Sequence, residues 1–375
     1  MGNLDVSGLA RTTIMRDRIL VLSRYTRLGA SSRLRTMQYK PWLEDAGFEV
    51  EYSALFDDNY LKRLYSGQGS KIGFFKYYLK RIKQLTRSNQ FDLIWIEYEA
   101  LPWLPWLIER ILLPTSIPII SDYDDAIFHR YDNHYSLIVK KFFGQKIDNI
   151  MRHSSLVIVG NEYLATHARS VYAENVMIIP TVVDLSQYSL NHGFHKRSFV
   201  NIGWIGTPKT WSTYGKEKYD LLKETLINNN ATFTAVGAKL ETDMLGILEM
   251  IPWSEDIEVK AIQDMDIGIM PLNNTSWSKG KCGYKLIQYM ACSLPVVASP
   301  VGVNKIIVEH GVNGFLAETD DDWLFYIKKL LSDKDLRHRM GVAGRKKVEK
   351  DFSLQVWGPR TALKLRQVAD KARKK

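Results

Sequence analysis

The sequence predicts an α/β protein with two doubly wound parallel sheets, in Rossmann-like domains that face each other across a cleft. Short apolar runs without strict polar alternation recur along its 375 residues, as in parallel strands that helices cover on both faces. Helix-length segments separate these runs, for example Ser32–Ala46 and Gln145–Arg152. The chain is also about twice as long as a typical single domain, so two domains are expected.

Nine apolar runs are the predicted strands. The first half contains Ile19–Leu22, Leu93–Ile96, Ile117–Ile120, Leu156–Val159 and Val176–Ile179. The second half contains Phe199–Ile205, Phe233–Val236, Ile267–Met270 and Pro295–Ala298. A polar stretch without helical or strand periodicity, Asp184–Arg197, separates the halves. We therefore expect an N-terminal domain over residues 1–190, a C-terminal domain over 191–353, and a final helix with a basic tail over 354–375.

Composition and cysteine content narrow the class of protein. The chain is 45% hydrophobic and 25% charged, close to the average for soluble globular proteins. Its two cysteines, Cys282 and Cys292, cannot build a disulfide framework, which indicates a reducing compartment. The sequence contains no recognisable export signal and no clean apolar run of about 20 residues that would span a membrane. We therefore expect a cytoplasmic protein that is at most peripheral to the inner face of a membrane.

The net charge of +10 is unevenly distributed. Residues 71–90 contain six positive and no negative residues, residues 345–375 contain eleven positive and three negative ones, and the remainder carries a net charge of −4. Within 71–87, basic residues recur at helical spacing beside an apolar face, with Lys76, Lys80, Lys83 and Arg87 next to Ile72, Phe75, Leu79 and Ile82. This pattern predicts a helix on an anionic membrane surface, or else a domain helix with solvated lysines. No nucleic-acid-binding module accompanies the charge, so a nucleic acid partner is not expected.

Two turns with small residues follow predicted strands and precede helices. The first contains Gly29, Ser31, Ser32 and Arg33, and the second contains Gly206, Thr207 and Lys209. Small residues let the backbone approach a ligand, and the N–H groups at a helix N-terminus bind anions. The alternative is an ordinary tight turn, with Ser31 or Ser32 as a helix cap. The first turn lacks the G-x-G-x-x-G fingerprint, which disfavours a dinucleotide-dependent enzyme.

A third glycine-rich segment lies between residues 279 and 285. Lys281 and Lys285 are four residues apart and share one face of a helix that begins near Gly283. Glycines at a helix N-terminus beside two lysines are typical of a diphosphate site. A solvated basic turn is the alternative, but it does not explain the glycines.

Three aspartates, Asp122, Asp124 and Asp125, follow the predicted strand Ile117–Ile120. They are candidates for sugar hydroxyl binding or acid–base chemistry, for a divalent cation, or for capping a helix. The cation is the least favoured, because no second carboxylate cluster completes a site. The histidines and cysteines show no zinc-ligand spacing, so no metal is expected.

Together these motifs resemble the retaining glycosyltransferases of family four, which have the GT-B fold and build bacterial cell-surface polysaccharides. The most specific segments are residues 203–208, 280–291, 295–297 and 308–316, and residues 31–35 and 122–127 are similar to the N-terminal pattern of one bacterial subgroup. The resemblance extends over nearly the whole chain. It implies a GT-B fold in which the C-terminal helix crosses back to the N-terminal domain.

The resemblance also implies the substrates and their positions. A UDP- or GDP-linked sugar donor would bind the C-terminal domain, and a glycan or lipid-linked acceptor would bind the N-terminal one, with no cofactor. The donor residues would be Gly206, Thr207, Lys209, Lys281, Gly283, Lys285, Gln288, Val303 and Asn304. Asp122, Asp124 and Asp125 would lie near the transferred sugar or the acceptor hydroxyl, and Gly29 to Arg33 would close the N-terminal side of the cleft.

One departure from the family concerns two glutamates that usually precede its Ala-Met-Ala segment. Gly280 and Gln288 stand at those positions. The Gln288 amide can hydrogen-bond a ribose, whereas Gly280 cannot replace a carboxylate. We expect Lys281 and Lys285 to add positive charge for the diphosphate.

The expected reaction is glycosyl transfer with a nucleoside diphosphate as leaving group. Lys209, Lys281, Lys285 and helix N-termini would stabilise this group rather than a metal, and the family implies retention at the anomeric carbon. Two alternatives stay open, a nucleotide-sugar 2-epimerase and a non-catalytic subunit that binds nucleotide sugars or glycans. The lysine-rich loop with few acids fits the epimerase poorly, whereas the absent glutamates suggest the subunit. The sequence makes no prediction of oligomeric state.

Overall fold

Two parallel sheets organise the computed structural model, which describes residues 16–65, 73–188, 199–238 and 246–374. Within these residues each sheet has six strands, in the orders β2-β1-β3-β4-β5-β6 and β12-β11-β10-β7-β8-β9. The strands of the first sheet are β1 (Asp17–Tyr25), β2 (Phe48–Phe56), β3 (Leu93–Glu97), β4 (Ile119–Tyr123), β5 (Leu156–Val159) and β6 (Val176–Ile178). Those of the second are β7 (Val200–Ile205), β8 (Ala231–Val236), β9 (Leu248–Ile251), β10 (Ile267–Met270), β11 (Val296–Ala298) and β12 (Gly314–Leu316).

Helices connect the parallel strands of both sheets. Those of the first half are α1 (Ala30–Arg35), α2 (Lys40–Asp45), α3 (Asp58–Tyr65), α4 (Phe74–Leu85), α5 (Trp106–Leu112), α6 (His129–Asp132), α7 (Leu137–Phe143), α8 (Lys146–Arg152) and α9 (Glu162–Ser170). Those of the second half are α10 (Pro208–Thr210), α11 (Lys216–Asn228), α12 (Glu255–Gln263), α13 (Ser276–Lys279), α14 (Tyr284–Ala291), α15 (Asn304–Ile307), α16 (Asp320–Ser332), α17 (Lys334–Asp351) and α18 (Leu354–Arg373).

The interior strands contribute side chains to hydrophobic cores on both sheet faces. In β1, Ile19 and Val21 pack into one core, while Leu20 and Leu22 pack into another. This two-sided burial explains the apolar runs in the sequence, because neither face of the sheet is left to polar side chains. The predicted fold of two doubly wound, Rossmann-like units is therefore confirmed.

The structure contains three strands that the sequence analysis missed, β2, β9 and β12, and all three lie at sheet edges. Strand β2 includes the exposed Glu49 and Glu51, which break the apolar run. The predicted helix Ser32–Ala46 is also interrupted. It consists of α1, a short 3-10 turn and α2, with Pro41 in the first turn of α2. Proline lacks the N–H group that a continuous helix would need.

The C-terminal helix α18 packs on the first sheet, as predicted. Leu365, Val368 and Ala369 belong to the core that contains Ile19 of β1. Arg366 forms an ion pair with Asp17 at the start of β1. The predicted domain boundary at residue 190 lies outside the described residues.

None of the helices in these described ranges combines the length and the apolar character that a transmembrane span requires.

Shortening a buried side chain of α18 that packs on the first sheet is expected to destabilise the folded protein. Leu365 is fully buried, so Leu365→Ala should lower the free energy of unfolding by about 2–5 kcal/mol, because it leaves a cavity in the core. Denaturant titration measures this change. Leu363→Ala is the matched control on the same helix, since Leu363 is 59% exposed. Equal effects of the two substitutions would contradict this packing.

Candidate functional site

A cavity of about 440 Å³ lies between the carboxyl ends of the two sheets. Its walls come from the segments that follow β1, β4 and β6 on the N-terminal side and β7 to β10 on the C-terminal side. The predicted site residues in its lining are Ser31, Arg33, Asp124, Asp125, Gly206, Thr207, Lys281, Gly283, Lys285 and Gln288. Carboxyl ends of parallel strands are where ligands bind in such folds, so this cavity is the candidate site.

Direct contacts join the two halves beside the cavity. The Asn161 side-chain amide donates hydrogen bonds to the carbonyl oxygens of Gly280 (2.9 Å) and Lys281 (3.0 Å). The Cys282 thiol donates to the carbonyl oxygen of Asp124 at 3.0 Å. The segment 280–282 is therefore held against the N-terminal half.

Gly280 is required by this contact. A Cβ atom at position 280 would lie 2.5 Å from the Cβ of Ala126 and 2.7 Å from its backbone nitrogen. Both distances are far below van der Waals contact, so any side chain would push the two halves apart. The departure from the family pattern at this position therefore has a packing reason.

Helix α14 begins with Tyr284, so Lys285 is in its first turn, whereas Lys281 precedes the helix and the two lysines do not share the predicted helix face. Both lysines nevertheless line the cavity. Gly283 precedes the helix with φ of 68°, a left-handed conformation that glycine adopts without strain. The Lys281 ammonium pairs with the Asp125 carboxylate at 3.2 Å. The Lys285 ammonium lies 4.4 Å from the centroid of the Trp204 ring, and no described carboxylate forms an ion pair with it.

The two lysines differ in their pKa values. Burial lowers the pKa of Lys285 to about 7, and the neighbouring charge of Lys281 contributes to the shift. For Lys281, desolvation acts in the same direction, but the Asp125 carboxylate outweighs it and raises the pKa. Lys285 is thus a desolvated cation site without a counter-ion of its own, and an anion bound there would raise its pKa.

The turn after β7 contributes backbone to the cavity. The Thr207 hydroxyl accepts a hydrogen bond from the Thr210 backbone N–H at 3.3 Å and so caps α10. A Cβ atom at Gly206 would lie 2.6 Å from the Trp204 ring, so glycine is needed there. Lys209 is exposed and lies outside the cavity lining.

The three aspartates have different environments. Asp122 lies within β4, where its buried carboxylate accepts a hydrogen bond from the Arg35 Nε at 2.8 Å. It therefore belongs to the core and does not line the cavity. Asp124 accepts a hydrogen bond from the Tyr98 hydroxyl, and Asp125 pairs with Lys281. Burial raises the pKa of Asp125, although Lys281 opposes the shift.

Only part of the turn after β1 lines the cavity. The buried Ser32 hydroxyl donates a hydrogen bond to Glu97 at 2.6 Å, and a Cβ atom at Gly29 would lie 2.5 Å from Tyr25. Ser32 and Gly29 therefore fix the conformation of the turn through contacts within the N-terminal half, and they do not line the cavity. Gly29 is the N-cap of α1 without a side-chain cap, so neither serine caps this helix.

Gln288 lines the cavity, whereas Val303 and Asn304 do not. The Gln288 amide donates a hydrogen bond to the Tyr188 hydroxyl at 3.2 Å. Val303 and Asn304 are buried beneath the turn at Gly283, where a Cβ atom would lie 3.2 Å from Val303. Val303 and Asn304 therefore pack against the turn at Gly283 rather than contact the cavity.

The segment after the edge strand β9 also lines the cavity, although none of its residues is among the predicted site residues. Trp253 and Glu258 line the cavity, and the Trp253 indole donates a hydrogen bond to the Glu258 carboxylate at 2.6 Å. Arg33 of the opposite half lies 5.4 Å from the centroid of the Trp253 ring and 3.9 Å from Glu258. The nearby Glu255 pairs with Arg27 at 2.7 Å. Trp253 reaches the cavity only through tertiary packing, so no local sequence pattern marks it.

Throughout the described ranges, no group of three or more histidine, cysteine or carboxylate side chains is arranged to hold a metal ion. The metal-free reaction stays a prediction.

Comparisons with known proteins agree with this geometry. Residues 217–347 match the family described as Glycosyl transferases group 1. HepE from Anabaena, solved in complex with UDP and glucose, is 18% identical with a TM-score of 0.68, and the match covers 93% of this chain and 99% of that one. Sucrose-phosphate synthase from Thermosynechococcus elongatus is 13% identical with a TM-score of 0.67, covering 94% and 99% of the two chains. No curated protein sequence matches significantly.

A third structural neighbour has a lower score. The pneumococcal O-GlcNAc transferase GtfA, in complex with UDP and GlcNAc, is 15% identical with a TM-score of 0.55, covering 78% of this chain and 60% of that one. Residues 217–347 are thus similar to group 1 glycosyl transferases, and the two-domain arrangement is the GT-B fold. Together these findings support a glycosyltransferase.

The close packing at Gly280 generates a stability prediction. Gly280→Ala should lower the free energy of unfolding by about 1–3 kcal/mol, because the added methyl group overpacks the contact with Ala126. Thermal unfolding measures the loss. Adding Ala126→Gly removes the clash with the Ala126 side chain but not the one with its backbone, so the double variant should recover only part of the loss. An unchanged Tm for Gly280→Ala would contradict the contact.

Proposed function

We propose that this protein is a retaining glycosyltransferase of family four that transfers a sugar from a nucleoside diphosphate to a glycan or lipid-linked acceptor of a bacterial surface polysaccharide. The observation that carries the proposal is Lys285. It is a desolvated lysine at the start of α14, faces the cavity, and pairs with no carboxylate in the described part of the chain. A diphosphate would supply the missing negative charge.

The donor is proposed to lie along the C-terminal wall of the cavity. Its diphosphate would sit between the backbone at Gly206 and Thr207 and the ammonium groups of Lys281 and Lys285. Its nucleoside would extend toward Trp253, whose ring lines the same wall. HepE has been solved in complex with UDP-glucose, which supports UDP as the nucleotide here.

The chemistry requires stabilisation of the leaving diphosphate. Preorganised cations in a desolvated site are most effective where negative charge develops. Lys281 and Lys285 fit this role, so no metal ion is needed in the proposed mechanism. The exposed Lys209 lies outside the cavity, and we therefore leave it out of this role.

The acceptor is proposed to bind against the N-terminal wall, with its hydroxyl near Asp124 and Asp125. Both carboxylates line the cavity opposite the lysines. The contacts between the halves would exclude water and so favour transfer over hydrolysis. An epimerase is disfavoured because no histidine lines the cavity among the described residues.

We also propose that the protein rests on the inner face of the cytoplasmic membrane through α4, α5 and α7. On α4, Phe75 is 75% exposed beside exposed lysines at positions 76, 80 and 83. The other exposed large apolar side chains of these three helices are Phe74, Leu79, Leu107, Ile108, Ile111, Leu137, Ile138 and Phe142. Apolar side chains among lysines are typical of surfaces that bind anionic lipid.

The three helices adjoin one another. Tyr78 of α4 donates a hydrogen bond to the carbonyl oxygen of Pro102, just before α5. The ring of the next residue, Trp103, lies 6.4 Å from the ring of Phe143 at the end of α7. Lys71 and Ile72 of the predicted amphipathic helix lie outside the described residues.

The proposed reaction is tested with a panel of UDP- and GDP-sugars and lipid-linked acceptors. We expect acceptor-dependent release of UDP, and NMR of the product should show the anomeric configuration of the donor. Donor binding without turnover would indicate a binding subunit, and interconversion of the free donor would indicate an epimerase. An inverted product would contradict retention.

Substitution of Lys285 gives a sharper prediction. Lys285→Gln should weaken UDP-glucose binding about tenfold or more, because it removes a charge-assisted contact from a desolvated site. Isothermal titration calorimetry measures the affinity. Lys279→Gln is the matched control, since Lys279 is exposed in the same segment and lies outside the cavity lining. Equal affinities of the wild-type and Lys285→Gln chains would refute the diphosphate assignment.

The same lysine predicts a pH dependence. Its pKa is about 7 in the free protein, and the diphosphate would raise it in the complex. Binding then requires uptake of a proton above pH 7, so UDP-glucose affinity should fall as the pH rises from 7 to 9. The Lys285→Gln variant should lack this component. A flat wild-type profile over this range would be inconsistent with the role of Lys285.

Membrane association is tested by co-sedimentation with vesicles. Replacing Lys76, Lys80 and Lys83 by Glu should weaken binding to vesicles that contain anionic phospholipid, and added salt should weaken wild-type binding. Phe75→Ser should also weaken binding to these vesicles. Phe325→Ser is the control, because Phe325 is 61% exposed on α16 in the other half. Unchanged binding by the lysine variant would exclude this surface.

A further inference from the structure

Tyr98 occupies a strained turn at the carboxyl end of β3. Its φ is 61°, a left-handed conformation that is costly for a residue with a large side chain. The Glu97 carbonyl oxygen accepts a hydrogen bond from the Glu99 backbone N–H at 2.8 Å, so Tyr98 is the central residue of a three-residue γ-turn. A glycine would adopt this conformation without strain. A tyrosine at this position therefore points to a role for its side chain.

Contacts on both sides hold this turn in place. The Tyr98 backbone N–H donates a hydrogen bond to the Asp122 carbonyl oxygen of β4 at 3.0 Å. After the turn, the Glu109 carboxylate accepts hydrogen bonds from the backbone N–H groups of Ala100 (3.2 Å) and Leu101 (3.0 Å). Backbone strain persists where surrounding contacts over-determine the conformation. The place of the Tyr98 side chain is therefore set by the fold, before any ligand binds.

The Tyr98 hydroxyl contacts two residues that line the cavity. It donates a hydrogen bond to the Asp124 carboxylate and lies 3.3 Å from the Ser31 hydroxyl. Burial raises the pKa of Tyr98, and the charge of Asp124 adds to the shift, so the hydroxyl stays protonated and remains a donor. Tyr98 itself is only 5% exposed and does not line the cavity. Any effect of Tyr98 on a ligand is therefore exerted through the residues that its hydroxyl contacts.

Asp124 and its neighbour Asp125 have different partners. The Asp125 carboxylate forms an ion pair with the Lys281 ammonium at 3.2 Å, whereas no cation among the described residues forms an ion pair with Asp124. A sugar linked to a diphosphate at Lys281 would lie beside Asp125 and within reach of Asp124, because both aspartates line the same wall. An ionised carboxylate only accepts hydrogen bonds, and the hydroxyl groups of a sugar are suitable donors.

We propose that Tyr98 is a positioning residue that holds the Asp124 carboxylate where it accepts hydrogen bonds from hydroxyl groups of the transferred sugar. This proposal rests on the proposed function, because it takes the donor diphosphate to lie at Lys281 and Lys285. A carboxylate that is already held in place loses little conformational freedom when the sugar binds. The acceptor hydroxyl attacks the same sugar, so it approaches the same wall. The N-terminal half would thus select the sugar of a donor whose nucleotide is bound by the C-terminal half.

The test compares UDP with UDP-glucose, UDP-galactose and UDP-N-acetylglucosamine by isothermal titration calorimetry on the full chain. The readout is the ratio of the UDP-sugar affinity to the UDP affinity, because only the sugar is proposed to contact Asp124. For at least one of the three sugars, Asp124→Asn should lower this ratio about tenfold to hundredfold, and Tyr98→Phe about threefold to tenfold. UDP affinity should be the same in the Tyr98→Phe and wild-type chains, which also shows that the variant folds.

Two comparisons separate positioning from a structural role. Tyr77→Phe is the matched control, because the Tyr77 hydroxyl also donates to a carboxylate, that of Asp57 at 2.8 Å, and neither residue lines the cavity. This variant should leave the ratio unchanged. In the Asp124→Asn background, Tyr98→Phe should cause little further loss, because the two substitutions remove a single interaction.

The outcomes also separate this proposal from the proposed function. An unchanged ratio for all three sugars in Tyr98→Phe would overturn the role of Tyr98, and so would an additive loss in the double variant. A parallel loss of UDP affinity in Tyr98→Phe would overturn it too, because it indicates a disturbed cavity. In each of these cases UDP binding to the wild-type chain leaves the donor site standing. Absence of UDP binding to the wild-type chain would instead refute the donor site, and this proposal with it.

Discussion

The contact of segment 280–285 with the N-terminal half is the constraint on which the cleft depends. Asn161 holds the backbone of Gly280 and Lys281, and Ala126 leaves no space for a side chain at position 280. The same segment begins α14 and carries both lysines of the cavity. The same backbone segment therefore determines how closely the two halves approach each other. It also determines where the Lys281 and Lys285 side chains enter the cavity. In the free protein, Asp125 neutralises Lys281 across this contact, so a diphosphate would compete with a carboxylate already in place.

A group of buried charges in the N-terminal half stabilises the backbone next to the cavity wall. The Lys146 ammonium nitrogen lies 2.8 Å from a carboxylate oxygen of Glu99 and 2.8 Å from one of Glu109. Desolvating such groups is costly, and removing one partner of a buried pair typically costs about 3–5 kcal/mol. The network fixes the chain immediately after Tyr98, whose backbone conformation is unfavourable in isolation. Its consequence is a rigidly placed hydroxyl that orients the Asp124 carboxylate at the cavity wall.

The sequence predicted those features that short continuous segments encode. Interior strands are apolar on both faces and were found, whereas the edge strand β2 carries Glu49 and Glu51 and was not. The lysine and glycine segment before α14 was recognised because its residues are contiguous. Trp253 lies after another edge strand and reaches the cavity only through tertiary packing, so no local pattern marked it. Among the aspartates, a strand end three residues later than predicted places Asp122 in the core.

Position 280, where the resembled family usually has a glutamate, is a glycine for a structural reason. Ala126 occupies the space where a side chain would begin, and the two residues before it are Asp124 and Asp125, which line the cavity. The cavity thus retains carboxylates, but the opposite half supplies them. A carboxylate at position 280 would accompany the lysines whether the halves were together or apart. Carboxylates from the loop at Asp124 and Asp125 reach the lysines only when the halves are in contact, so any chemistry that needs both is confined to the closed arrangement.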